Sequence, residues 1–298
     1  MVDVSLAGEY RQTFSLCDPR AMRPPAADIA VPPFPPDLAW IGGRAPRIER
    51  VAALAPVLVH FFDFAQLNSA RTLPYLRHWH ERYRDAGLVL LGVHSPRFTC
   101  TASPDAVATA VAELGIPYPV GVDSGFRAWR AYGCEGWPSL FLWGRGGALR
   151  WFHFGEGEYA ATEEAIQGLI AESRELVESI SELPEPLAPL RATDAPGALV
   201  IPPSEELFPG GSASEPWEAT AGDRGLEVGY AGGGAYVTAD GEGTLEVAID
   251  GRAREPIAVR SPGLHELALH ERHGEHGLVL DPSPGVRVWS ISFAAGVP

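Results

Sequence analysis

At 298 residues the chain is long enough for two domains with cores of their own, and 46% hydrophobic residues is ordinary for a soluble globular protein. A formal net charge of −15 argues against a nucleic-acid-binding role. All 23 basic residues are Arg, which excludes Schiff-base chemistry and a phosphate-binding lysine; a GC-rich genome accounts for this bias without any Arg-specific role. No apolar run reaches roughly 18 residues, so no transmembrane helix is predicted. Met1 to Asp18 lacks the basic-then-apolar order of a signal peptide. Cys17, Cys100 and Cys134 are few and widely spaced, which predicts reduced thiols and a cytoplasmic location rather than a disulfide framework.

Residues 1–34 read as an N-terminal extension: 1 to about 25 lack periodicity, and Ala26 to Pro36 is Pro-rich and extended. Ala39 to Arg44 predicts a hairpin with a Gly-Gly turn. Val57 to Phe62 is an apolar run and predicts a buried strand. A helix starting near Asn68 or Ser69 follows, with Pro74 one turn in and Tyr75, Leu76, Trp79 and Tyr83 on one face. Gly87 closes it. Leu88 to Val93 predicts a second, parallel-type strand. Ser103-Pro104-Asp105 is a helix start, the helix running to Leu114. Tyr118 to Val122 predicts a third strand and Phe126 to Tyr132 a short helix. Ser139–Trp143 and Leu149–Phe154 flank a Gly-rich turn, and a last helix opens at Thr162 and reaches about Ser181 with acidic residues at its positive end.

That order, over residues 35–182, predicts an α/β sheet with a late antiparallel hairpin. Leu183 to Pro196 carries four prolines and reads as a linker. Residues 197–298 change character: Gly-rich, 15 acidic against 6 basic residues, in short alternating segments without helices. Regularly spaced strands predict an all-β sandwich of jelly-roll type.

The first domain resembles the thioredoxin-like (redoxin) proteins of the TlpA and DipZ type. Local matches carry the resemblance in the right order: Arg71 to Leu76, Gly92 to Pro96, Leu114 to Val120, Tyr132-Gly133, Trp137-Pro138 and His153 to Tyr159. The β-domain is similar to the jelly-roll domain that follows the thioredoxin domain in DipZ proteins. The resemblance implies thiol–disulfide oxidoreductase chemistry by a Cys-x-x-Cys pair ahead of the Pro74 helix, and a cis-proline at Pro138. At the cysteine positions stand Gln66 and Ser69, with no second CxxC elsewhere. Dithiol exchange needs a thiolate at a helix N-terminus and a second thiol to resolve the mixed disulfide. Gln66 supplies neither, and Ser69 has no activating base at helical spacing and reads as a helix cap.

The remaining candidate thiol is Cys134, four residues before Pro138 in the loop that in this family faces the redox turn; a one-thiol peroxidase-like activity is the alternative there. Against it stands a small apolar residue in a tight loop, with Glu135 alongside to raise its pKa. His265, His270, His273 and His276 match no standard zinc spacing and read as a solvated hairpin tip. His60 and His153 read as core histidines. No cofactor or metal is expected, and partners are expected to be proteins rather than nucleic acid or membrane. The leading expectation is a redox-inactive thioredoxin-fold protein that binds a partner or client through a groove formed by Gln66, Leu67, Asn68, Ser69, Trp137 and Pro138. A third reading places the working site in the β-domain, binding a glycan or a protein, although only Trp217 and Trp289 lie there.

Overall fold

The structure is a computed structural model and describes residues 29–175, 183–219 and 225–298. The expectations for the N-terminal extension before residue 29, including Cys17, and for helix beyond residue 175 lie outside the described residues.

The first domain is a six-stranded sheet in the order β1-β4-β3-β2-β5-β6. Strand β2 (Val57–Phe62) lies at its centre with every residue buried, as an unbroken apolar run requires. It pairs in parallel with β3 (Val89–His94) and antiparallel with β5 (Ser139–Trp143). β4 (Val120–Val122) continues the parallel half, and β6 (Leu149–Phe154) closes the antiparallel hairpin. The predicted Gly-Gly hairpin does not form. Ala39–Ile41 is instead a single strand, β1, paired antiparallel with β4, and after Gly42 turns at φ 75° the chain enters a short helix, α1 (Ile48–Ala52).

Strand alternation divides the core. Leu58, Phe62 and Leu90 face α2 (Leu67–Tyr83), α3 (Pro104–Glu113) and α5 (Tyr159–Glu175). Val57, Val59, Phe61, Leu91 and Val93 face α1 and α4 (Arg127–Tyr132). Helix α3 begins as predicted, with Ser103 Oγ accepting the Ala106 N–H at 3.1 Å and Pro104 in its first turn. Helix α5 starts earlier than the acidic cluster suggested, at Tyr159.

The second domain is all-antiparallel β. Strand β7 is Trp217–Glu218, β8 Leu226–Gly241, β9 Gly243–Ile249, β10 Arg252–Ala253, β11 Ile257–Val259, β12 Gly263–Pro282 and β13 Val286–Ala294. The order is β10-β9-β12-β8-β13-β7, with β11 also on β9. Segments read as separate short strands are halves of two long ones, since β8 and β12 pair from Gly263↔Ala239 to Leu280↔Leu226 through two irregularities. The histidine-rich stretch is therefore no hairpin tip: His265, His270, His273 and His276 all lie along β12.

The connecting stretch is docked rather than free. Its Arg191 donates to the Arg71 carbonyl at 2.8 Å and pairs with Asp194 at 2.9 Å and Glu156 at 3.3 Å. Tyr75 donates to Asp194 at 2.7 Å, while Leu183 and Leu187 pack on the α2 side of the core.

Candidate functional site at the start of helix α2

Helix α2 starts at Leu67, and its N-cap is Gln66, not Ser69. The Gln66 Oε1 accepts the Ser69 N–H at 2.8 Å, satisfying one of the amides that a helix start leaves open. Ser69 is fully buried, and its Oγ accepts the Asp63 N–H at 3.4 Å. The Gln66 and Ser69 side chains are thus held within the turn.

Asp63, next to β2, organises the surrounding loops. Its carboxylate is fully buried and accepts from the Ala65 N–H at 2.8 Å, the Arg97 N–H at 2.6 Å, the Phe98 N–H at 3.2 Å and Thr101 Oγ1 at 2.7 Å. Burial opposes its charge, yet His94 at 3.7 Å and these donors hold the carboxyl below its ordinary pKa. His94 is itself fully buried, stacked on Phe64 with ring centroids 5.0 Å apart.

The second domain covers this turn. Thr238 on β8 donates to the Ala65 carbonyl at 2.7 Å. Trp289 on β13 is buried within the core of the first domain. Arg97 pairs with Glu206 at 2.5 Å, and Ser292 donates to the same carboxylate at 3.0 Å. Gln66 and Leu67 are left nearly inaccessible, and Asn68 half-buried. What stays open is a cleft of about 300 Å³ between the domains, walled by Gln66, Leu67 and Asn68 on one side and by Ser204, Glu206 and Ser292 to Ala295 on the other.

Trp137-Pro138 is a cis peptide, and Trp137 donates its indole N–H to the Ser95 carbonyl at 2.7 Å. Trp137 is half-buried against Trp129, centroids 4.3 Å apart, and neither it nor Pro138 lines the cleft. Cys134 does not meet the turn. It packs against the core on the α1/α4 side of the sheet, opposite α2, and burial pushes its thiol well above the ordinary value. Cys100 belongs to the α2-side core, and its thiol is likewise raised, by burial and by Asp240 and Asp63. No cation acts on Cys134, and at Cys100 the pull of Arg287 is outweighed by burial and by the Asp240 and Asp63 carboxylates, so neither thiol is brought toward the thiolate that nucleophilic attack requires.

His60 is fully buried in β2 with neither ring nitrogen hydrogen-bonded, and burial lowers its pKa to about 3. His153 is no core residue; it is half-buried on strand β6. In the β-domain His270 and His276 stack with centroids 3.6 Å apart; His270 contacts the Tyr230 hydroxyl at 2.7 Å and His276 the Asp250 carboxylate at 2.9 Å. Among the described residues no group of three or more His, Cys, Asp or Glu is arranged to hold a metal ion. Asp63, Arg97, Glu206 and Phe293 carry no sequence signature of this site. Only the domain packing brings residues 206 and 293 to the start of α2.

No family profile matches the chain. It is 27% identical over 272 residues to Protein DipZ of Mycobacterium tuberculosis, a match covering 80% of this chain and 38% of that protein. The chain thus spans well under half the length of its DipZ relatives. It is 26% identical over 143 residues to the thiol-disulfide oxidoreductase YkuV of Bacillus subtilis, covering 48% of this chain and 95% of that one. A solved structure titled as a thioredoxin-like protein in the oxidized form aligns at 25% identity over 48% of this chain and 95% of its own, with a TM-score of 0.44. The first domain is a thioredoxin-like domain of the redoxin type. The match to DipZ covers 80% of the chain and so extends past the first domain into the all-β domain, and Gln66 and Ser69 stand where the sequence resemblance leads one to expect a redox pair. No helix among the described residues is long and apolar enough to cross a membrane.

Proposed function

We propose that this chain is a thioredoxin-fold binding protein without thiol–disulfide activity, acting by recognising a protein partner beside the turn at Gln66 to Ser69. One observation carries the reading: the Gln66 and Ser69 side chains are engaged in capping and bracing the turn, while the two described thiols are half-buried against the packed core. A half-buried thiol whose pKa is raised is a poor nucleophile, which disfavours the peroxidase-like alternative at Cys134. A glycan-binding β-domain gains little support, because Trp289 is buried and Trp217 packs on the domain's own core. A cytoplasmic location belongs to the same proposal, motivated by the scarcity of cysteine.

Insulin-reduction and peroxide-consumption assays on the native chain and on Cys134→Ser and Cys100→Ser test the reading. It expects rates at the buffer blank for all three proteins. Turnover that disappears with Cys134→Ser would replace it with the one-thiol enzyme.

A further inference from the structure

The interdomain cleft carries a recognition surface built from main chain as well as side chains. On one wall, strand β13 and the two residues after it are bordered by the stretch 201–207, which among the described residues pairs with them at its two ends. Leu207 and Ile291 exchange both hydrogen bonds at 2.9 Å, and Ile201 and Gly296 pair again through bonds of 2.8 and 3.3 Å. Between these bridges the stretch lifts away. Pro202 and Pro203 have no N–H to donate, and Ser204 turns its N–H to the Ala231 carbonyl at 2.7 Å instead.

Main-chain groups alternate sides along a strand. Since Ile291 bonds outward to Leu207, Phe293 presents its N–H and C=O to the same outer side, where no described residue pairs with them. Phe293 lines the cleft. A short length of open strand edge therefore borders it, of the kind that recruits another strand.

The opposite wall supplies amides. The Gln66 carboxamide uses its oxygen on Ser69, and neither its nitrogen nor the Asn68 side chain makes a hydrogen bond to any described residue. The charges around the cleft are already matched. Arg97 is paired with Glu206 at 2.5 Å, and Glu156 with Arg71 at 2.6 Å, so an ionic ligand finds no free counter-charge here. A volume of about 300 Å³ lies at the small end of ligand sites.

We infer that the cleft binds an extended, uncharged peptide segment of small residues, which pairs through its main chain with Phe293 and is held on its other side by the amides of Gln66 and Asn68. This rests on the protein-binding reading above and narrows it to a peptide main chain in the interdomain cleft. It places recognition on β13 of the second domain rather than on the cis-proline loop of the first.

The test titrates the full chain with N-acetyl-Ala-Gly-Ala-amide and follows backbone amide resonances by NMR. The expected result is saturable shifts centred on Gln66, Asn68 and Phe293. Replacing the central peptide N–H of the probe by an ester oxygen, or making Asn68→Ala, is expected to weaken binding by about fivefold, as the loss of a single hydrogen bond does. Asn68→Ala removes no side-chain hydrogen bond to any described residue, so a folding defect does not confuse the result. Absence of saturable shifts at millimolar probe overturns the inference. Shifts centred on Trp137 and Pro138 also overturn it, while leaving the protein-binding reading intact at a different surface. Equal affinity for the amide and ester probes removes the main-chain pairing on which the proposal is built.

Discussion

At the residue scale, Gln66 does what a capping residue does, with a carboxamide in place of the usual short side chain. Gln66→Ala is expected to lower stability by about 1–2 kcal/mol in urea unfolding, because the buried Ser69 N–H then loses its acceptor. His60 makes a different prediction. Its folded-state pKa lies near 3 against an ordinary 6.5, so the unfolded chain takes up a proton that the folded chain refuses. Its contribution to stability is therefore complete above pH ~6.5 and is lost as pH falls toward 3, by about 5 kcal/mol in total. His60→Leu should flatten the fall of Tm between pH 6 and pH 4 on the order expected for one such group; an unchanged slope would show that other groups set acid sensitivity. Asp63 acts in the same sense at lower pH, since a carboxyl held below its ordinary value withdraws stability only once it is protonated.

At the scale of elements, what was legible followed periodicity and punctuation. The apolar runs gave β2 and β3, Ser103-Pro104 marked the start of α3, and the resemblance located the cis bond at Trp137-Pro138. Helix α1 was missed because its five residues offer too short a window for a helical period. The long strands β8 and β12 were cut in two because Gly232 to Gly234 and Gly274 look like turns. In the fold Gly232 to Gly234 mark close backbone approach instead, and Gly274 sits at an irregularity of the β8–β12 pairing. A Cβ on Gly233 would stand 2.6 Å from the Ala295 carbonyl oxygen, and one on Gly234 2.9 Å from that of Ala268. Gly233→Ala should accordingly destabilise the β-domain by about 1–3 kcal/mol, whereas Gly229→Ala, with nothing within 4 Å of the added carbon, should leave thermal unfolding nearly unchanged. The turn at Gln66 to Ser69 was legible by position, but its cover was not. No pattern along residues 197–298 tells which face of the first domain they will meet.

At the scale of the molecule, the two domains share an interior. Trp289 comes from β13 yet belongs to the core around α2, and Phe208 and Ala213 pack on the same core. Trp289→Ala is expected to cost about 3–5 kcal/mol, the range for truncating a buried aromatic, and to loosen both domains rather than one. Circular dichroism and tryptophan fluorescence should therefore report coincident unfolding in the native protein and separated transitions in the variant. The central claim is that the turn at Gln66 to Ser69 is covered by the second domain, which among the described residues leaves a small cleft for approach. Gln66→Cys with Ser69→Cys in the same chain tests this most directly. The account predicts that the restored pair forms a disulfide reducible by dithiothreitol, because the cleft admits a small thiol, but that the protein does not reduce insulin above the blank. Insulin reduction by that double variant would show the face to be open and would contradict the account.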